Sequence, residues 1–215
     1  MIILYAFIEE ENHQYLLDKY LHAFSTDLST KIQKYRRWQD AQLSLLGRVL
    51  LKYGLNGYLD IQDFKLICTQ NNKPILTDHN VHFNISHSGS LVVCCISKSV
   101  IGIDVEYIDH KINYMDFETQ MTENELNRLH TSENTVKEFF TYWTEKEAVV
   151  KAHGKGLSIP LTSFEILENR SMIGNESYCV QEVFINDEYS CNVAASGLDI
   201  QEKNIHLEHV KLNKL

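Results

Sequence analysis

Proline is nearly missing from this chain, with two in 215 residues, and what remains is 44% hydrophobic and 23% charged. That is ordinary globular composition, and the length suits one large domain or two small ones. Basic excess is missing too. The formal net charge is −9, so overall charge gives a nucleic-acid partner little support. No apolar run approaches the roughly 20 residues that span a bilayer. The opening MIILYAFIEEE has a short apolar run, no basic residues ahead of it and acids directly behind. It reads as a buried first strand and not as a signal peptide. The five cysteines (Cys68, Cys94, Cys95, Cys179, Cys191) contain no C-x-x-C pair. An odd count without zinc spacing points to reduced, mostly buried thiols in a cytoplasm.

What is present is organised around residues 139–157, FFTYWTEKEAVVKAHGKGL. Phe140, Trp143, Glu147 and then Val150 or Lys151 follow at steps of three and four, which puts them on one face of a helix. A carboxylate in line with aromatic residues is costly unless a cation meets it. Lys151, one turn beyond Glu147, could serve the same bound group. The plainer reading is a surface Glu–Lys pair at i, i+4.

Earlier in the chain, Asp27 to Tyr53 reads as one long helix. Its apolar stripe runs through Ile32, Tyr35, Trp38, Leu45, Val49 and Tyr53 and drifts around Gln39 to Gln42. Lys31, Lys34, Arg36 and Arg37 make its first part basic, either as a local anion site or as a solvated face. A strand is expected over Ile61–Thr69, then a turn at Gln70–Pro74. Short β-rich runs at His82–Ser86, Leu91–Ser97 and Val100–Tyr107 suggest a small antiparallel meander, with SHSG as a tight turn. Thr122 to Glu125 matches a capping box that opens a short helix, and a long helix follows from Ser132 to His153. Phe164–Leu167, Tyr178–Ile185 and Tyr189–Ala195 read as strands of a second sheet, and residues after Ser196 as a terminal strand or tail. No residue-level repeat is visible.

Residues 101–106, IGIDVE, supply a second anchor. On a strand Asp104 and Glu106 share a face, and Ile103 and Val105 point the other way. Two adjacent carboxylates repel unless a cation lies between them, and oxygen-only ligands favour a hard ion such as Mg²⁺. An exposed strand face is the plainer alternative. With Glu147, the acids would make a three-carboxylate metal site between strand and helix. Lys151, His87, Lys73, Lys31 and Lys34 would offer positive donors to phosphates, an inventory that suits metal-assisted chemistry on a polyphosphate.

FNISHSG (83–89), IGIDVE (101–106) and WTEKEAVVKAHGKGLSIPL (143–161) resemble, in order and spacing, the three signatures of the 4′-phosphopantetheinyl transferases of the surfactin-synthetase-activating group. RRW…DA…LLG (36–47) and NKP (72–74) resemble that family as well, and residues 162–215 match it only in general character. The resemblance implies an α+β fold of two similar lobes related by a pseudo-twofold, with the active site in the cleft between them. It implies lobes at 1–103 (CoA phosphate and adenine contacts) and 104–215 (metal ligands and catalytic helix), and a monomer. The implied reaction moves the phosphopantetheine arm of CoA to a serine of an apo acyl or peptidyl carrier protein, releasing adenosine 3′,5′-bisphosphate.

By that resemblance Asp104, Glu106 and Glu147 hold Mg²⁺ (or Mn²⁺) against the diphosphate, and Lys151 contacts it and can protonate the leaving phosphate. Ser86 and His87 bind CoA phosphates. Lys31, Lys34 and Ser44 surround the 3′-phosphate, while Asn72, Lys73 and Pro74 line the adenine pocket. Glu147 is the expected base for the serine. Asn71-Asn72 stands where the family often has an aromatic residue and a glycine, and Ser44 where threonine is common. The carrier is expected along Asp109–Thr131, with Met115, Phe117 and Met121 as apolar contacts or as packing on their own lobe. A non-catalytic CoA- or nucleotide-binding regulator and a Mg²⁺-dependent phosphate-ester hydrolase are the rival readings.

Overall fold

A computed structural model describes residues 1–197 and 204–215. The chain begins with strand β1 (Ile2–Phe7). Helix α1 (His13–Tyr20) follows, fully burying Leu16 and packing Leu17 and Tyr20 against the same core. The long helix expected from Asp27 is two helices, α2 (Thr26–Gln33), capped by the Ser25 side chain, and α3 (Trp38–Leu59). Arg37 is extended between them, and Lys34 to Arg37 are exposed, so nothing there gains by staying helical.

Strands β2 (Leu66–Cys68) and β3 (Pro74–Leu76) form a small ribbon, so the expected strand from Ile61 is cut to its last few residues. Then come β4 (His82–Ser88), β5 (Leu91–Ser97) and β6 (Ile101–Tyr107). The expected meander ends after two strands. β5 already has β1 on one side and β4 on the other, and β6 pairs instead with a distant strand of the second sheet. Ser86, His87 and Ser88 lie on β4, and the turn proper falls at Gly89 and Ser90.

The capping box forms as expected. The Thr122 side chain accepts from Glu125 N–H, and Glu125 accepts from Thr122 N–H, opening α4 (Glu123–Thr131). Helix α5 (Thr135–His153) starts under an Asn134 cap and stops at Gly154, whose left-handed φ of 84° suits glycine. β7 (Ile166–Leu167), β8 (Arg170–Ile173), β9 (Glu176–Glu182) and β10 (Tyr189–Ser196) complete the second sheet in the order β6-β10-β9-β8-β7. The last strand, β11 (His206–His209), returns to the first sheet and runs parallel to β1, giving β11-β1-β5-β4.

The protein is therefore α+β, with one arrangement used twice. Each half has a first strand, a long helix, a short hairpin, and two strands of which the second lies in the middle. β5 sits between β1 and β4, and β10 sits between β6 and β9, antiparallel to both neighbours in each case. α3 covers one sheet and α5 the other. A third apolar layer, Ile3, Leu91, Val93 and Cys95 against Ile103, Val105, Cys191 and Val193, joins the two sheets face to face. Residue 103 lies inside β6, and the turn before Ile101 is where backbone pairing passes from one sheet to the other. Among the described residues no helix is long and apolar enough to cross a membrane.

Candidate functional site

The two lobes meet along β4 and β6, and no backbone ladder joins them there. Alternate β4 side chains reach across instead. Asn84 Oδ1 accepts from Ile103 N–H at 2.9 Å, Ser86 Oγ from Val105 N–H at 3.4 Å, and Ser88 Oγ from Tyr107 N–H at 3.0 Å. Open strand-edge donors are thus satisfied by side chains from the opposite lobe.

Above this seam β6 lies almost in contact with the backbone of α5. A Cβ added to Gly102 would come within 2.2 Å of the Ala148 carbonyl oxygen and 2.3 Å of Ala152 N, so glycine is the residue that allows the approach. Two residues on, Asp104 is 2% exposed. The Lys151 ammonium donates to Asp104 Oδ1 and, at 2.9 Å, to Ser86 Oγ, and Ser86 Oγ in turn donates to Asp104 Oδ1 at 2.8 Å. The plainer reading of Lys151, a surface pair with Glu147 one turn away, does not form; its ion pair is with Asp104 of the neighbouring strand. Asp104 Oδ2 is buried without a hydrogen-bond partner. An orphaned carboxylate oxygen in that position is what a cation would satisfy.

Glu106 and Glu147 are both half-buried. Burial pushes the Glu106 carboxyl above its ordinary range, the Asp104 and Glu147 charges push the same way, and the Ser88 hydrogen bond and the Lys151 charge oppose them. Burial likewise raises Glu147, and the Asp104 charge raises it further while Lys151 pulls it down. The three acids therefore feel one another's charge, which suits a hard cation bound by oxygens. Among the described residues no group of three or more His, Cys, Asp or Glu side chains is drawn tightly enough to hold an ion as the side chains stand. Lys151 supplies positive charge to Asp104 in this arrangement.

Asn72, Lys73 and Pro74 join Asn84, Glu147 and Lys151 around a cavity of about 260 Å³. On one side it continues into a cavity of about 330 Å³ under the β2–β3 ribbon, lined by Pro74, His82, Phe83 and His153 among others. On the other side a cavity of about 320 Å³ runs past Glu147 to Trp143, Ile159 and Leu161. Together they form one groove across the end of α5. Lys73 is anchored there: its ammonium donates to the carbonyls of Lys151 (2.5 Å) and Ala152 (3.1 Å), and Asn71 donates to Gly154 O at 3.1 Å. A cation on the last carbonyls of a helix complements its dipole. Burial holds the Lys73 pKa below its usual value.

His87 is exposed at the end of β4. Desolvation and the Lys151 charge hold its imidazole below the ordinary histidine value, with Asp40 acting in the opposite direction. Lys31 and Lys34 stand exposed at the end of α2, and Ser44 is half-buried on α3; these three do not line the groove. Of the apolar residues expected at the docking segment, Met121 is buried, Phe117 packs edge-on against Trp143, and Met115 is exposed. A separate and larger cavity, about 580 Å³, lies among Tyr20, Tyr53 and Tyr58, away from the acids.

Sequence reasoning passed over two features of the site. Lys146 is fully buried and pairs with Glu125 at 2.5 Å while donating to the Leu161 and Phe164 carbonyls, which ties α5 to α4 and to the loop beyond Gly156. Ser88 bonds to Glu106 Oε2 at 2.6 Å. The helix pattern carried no sign of a buried lysine, and the serine contact depends on how the lobes meet.

Known proteins share this chain's pattern. The sequence model described as "4'-phosphopantetheinyl transferase, N-terminal" matches residues 12–99, and that of the "4'-phosphopantetheinyl transferase superfamily" matches residues 100–203. The 4'-phosphopantetheinyl transferase gsp of Aneurinibacillus migulanus is 33% identical over 211 residues, covering 86% of this chain and 88% of its own. Sfp of Bacillus subtilis (strain 168) is 29% identical over 168 residues, with 74% and 70% covered. HetI of Nostoc sp. (strain PCC 7120) is 32% identical over 174 residues, with 74% and 73% covered. The crystal structure of Thermotoga maritima holo-[acyl-carrier-protein] synthase aligns over 46% of this chain and 62% of that chain, at 20% identity and a TM-score of 0.37. The chain belongs to the 4′-phosphopantetheinyl transferase superfamily.

Proposed function

We propose that this protein is a 4′-phosphopantetheinyl transferase that moves the phosphopantetheine arm of CoA onto a serine of an apo carrier protein, releasing adenosine 3′,5′-bisphosphate. The observation that carries the reading is the Lys151–Asp104–Ser86 cluster with its bare Asp104 Oδ2, whose Lys151 lines the groove beside Glu147. A regulator that had abandoned catalysis would have no need of Lys151, Asp104, Glu106 and Glu147 together.

Asp104, Glu106 and Glu147 are the residues that would hold a divalent cation, Mg²⁺ or Mn²⁺. Such an ion would neutralise negative charge on the diphosphate. Lys151 is placed to donate a proton or a hydrogen bond to the leaving phosphate oxygen, where negative charge develops as the bond breaks. Ser86 and His87 would contact phosphate oxygens. Lys31, Lys34 and Ser44 would meet the 3′-phosphate, and Asn72, Lys73 and Pro74 the adenine, Lys73 chiefly through its aliphatic stem because its ammonium is bonded to α5.

The carrier serine is a weak nucleophile until a base takes its proton. Glu147 has that role here: it stands on a rigid helix and lines the groove beside Lys151. Both lobes come from one chain, which supports a monomer, and a net charge of −9 gives a nucleic-acid partner little support. Met115 and the segment 109–131 beside the groove would meet the carrier.

The test is release of adenosine 3′,5′-bisphosphate from CoA with and without an apo carrier domain. Release only when the carrier is present supports the transferase. Release without it would identify a hydrolase.

A further inference from the structure

Ser88 occupies the third position of the β4 series that bridges the lobes, after Asn84 and Ser86. Its oxygen accepts from Tyr107 N–H at 3.0 Å, and its proton is directed to Glu106 Oε2 at 2.6 Å. A hydroxyl has one proton, and an amide that donates into its oxygen leaves that proton for the carboxylate. The same arrangement occurs two residues earlier, where Ser86 accepts from Val105 N–H and donates to Asp104. The two acids of β6 are thus each gripped by a serine of the other lobe. Glu106 needs this grip more than Asp104 does. It has no ion pair with a cationic side chain among the described residues, and the Asp104 and Glu147 charges repel it while the Lys151 charge attracts it. A half-buried glutamate in that field would otherwise gain by turning toward water.

We infer that Ser88 is a positioning residue for the divalent-cation site: from the opposite lobe it keeps the Glu106 carboxylate on the Asp104 face of β6, within a side-chain rotation of the ion. The inference rests on the metal reading above, in which Glu106 is one of three ligands. A ligating carboxylate whose hydrogen-bond partner is removed typically loses about 10- to 100-fold in metal affinity.

The experiment is Mn²⁺ binding, followed by the electron paramagnetic resonance signal of the free ion, on the full chain with saturating CoA and no carrier. Ser88→Ala weakens Mn²⁺ binding by about 10-fold, and Ser88→Thr, which keeps the hydroxyl, restores it. CoA affinity in EDTA and the melting temperature stay at wild-type values in both variants, as seam packing alone would not predict. Wild-type Mn²⁺ affinity in Ser88→Ala overturns the inference. So does a parallel fall in Mn²⁺ affinity, CoA affinity in EDTA and melting temperature, which would make Ser88 a seam residue only. Wild-type protein that binds no Mn²⁺ overturns the metal reading and this inference with it.

Discussion

Gly102 and Ala148 bring strand β6 and helix α5 as close as backbone permits: a Cβ at residue 102 would stand 2.2 Å from the Ala148 carbonyl oxygen. That closeness sets Asp104 against Lys151, so a structural glycine governs a chemical contact. Gly102→Ala must push strand and helix apart. Overpacking of this kind costs about 3 kcal/mol, which for a chain of this size lowers the melting temperature by roughly 6–12 °C. Thermal unfolding checks it, and an unshifted melt would mean that the two elements are not in backbone contact.

Glu147 is expected to be the base. Glu147→Gln keeps the size of the side chain and removes the proton acceptor. Turnover should fall by about 10²-fold or more, the usual contribution of general base catalysis, while CoA still binds. The check is single-turnover transfer to an apo carrier domain, with Mn²⁺ binding measured on the same sample. An unchanged rate with the ion still bound would remove Glu147 from that role.

Lys73 joins the lobes at the other end of the groove through its bonds to the Lys151 and Ala152 carbonyls. Lys73→Met keeps the aliphatic stem and loses both bonds. The expected cost is about 1 kcal/mol, or roughly 2–4 °C in melting temperature, together with weaker CoA binding. Calorimetry of CoA binding in EDTA separates the two effects.

The cysteines give a test of the core. Burial raises the Cys94 thiol to about 12 and lifts Cys95 and Cys191 as well, while Cys68 is exposed. Thiolate is the reactive form. Native protein at pH 8 should therefore take up iodoacetamide at Cys68 alone, as read by peptide mass mapping, and the other four should react only in denaturant. Labelling of Cys94 or Cys95 in the native protein would contradict the packing of β5.

Much of this was legible in the sequence wherever the controlling interactions are local. The Thr122–Glu125 box, the glycine stop after His153 and the shared face of Asp104 and Glu106 each follow from spacing within a few residues. Helix α1 was not legible, because its stripe of Leu16, Leu17 and Tyr20 is confined to eight residues that are otherwise polar. The partner of β6 was not legible either, since it lies some ninety residues downstream in β10 and no local signal selects it over β5. The site divides the same way. Its acids and Lys151 were readable as residue types at set spacings, whereas the pairing of Lys151 with Asp104, the Lys73 anchor and the Ser88 grip arise only where the lobes meet.

The central claim is tested most directly by the mass of an apo carrier domain incubated with this protein, CoA and Mg²⁺. The account predicts a gain of one phosphopantetheine on the carrier serine, abolished by EDTA and by Asp104→Ala in protein that remains folded. Carriers from several pathways left unmodified while the protein binds CoA would contradict it.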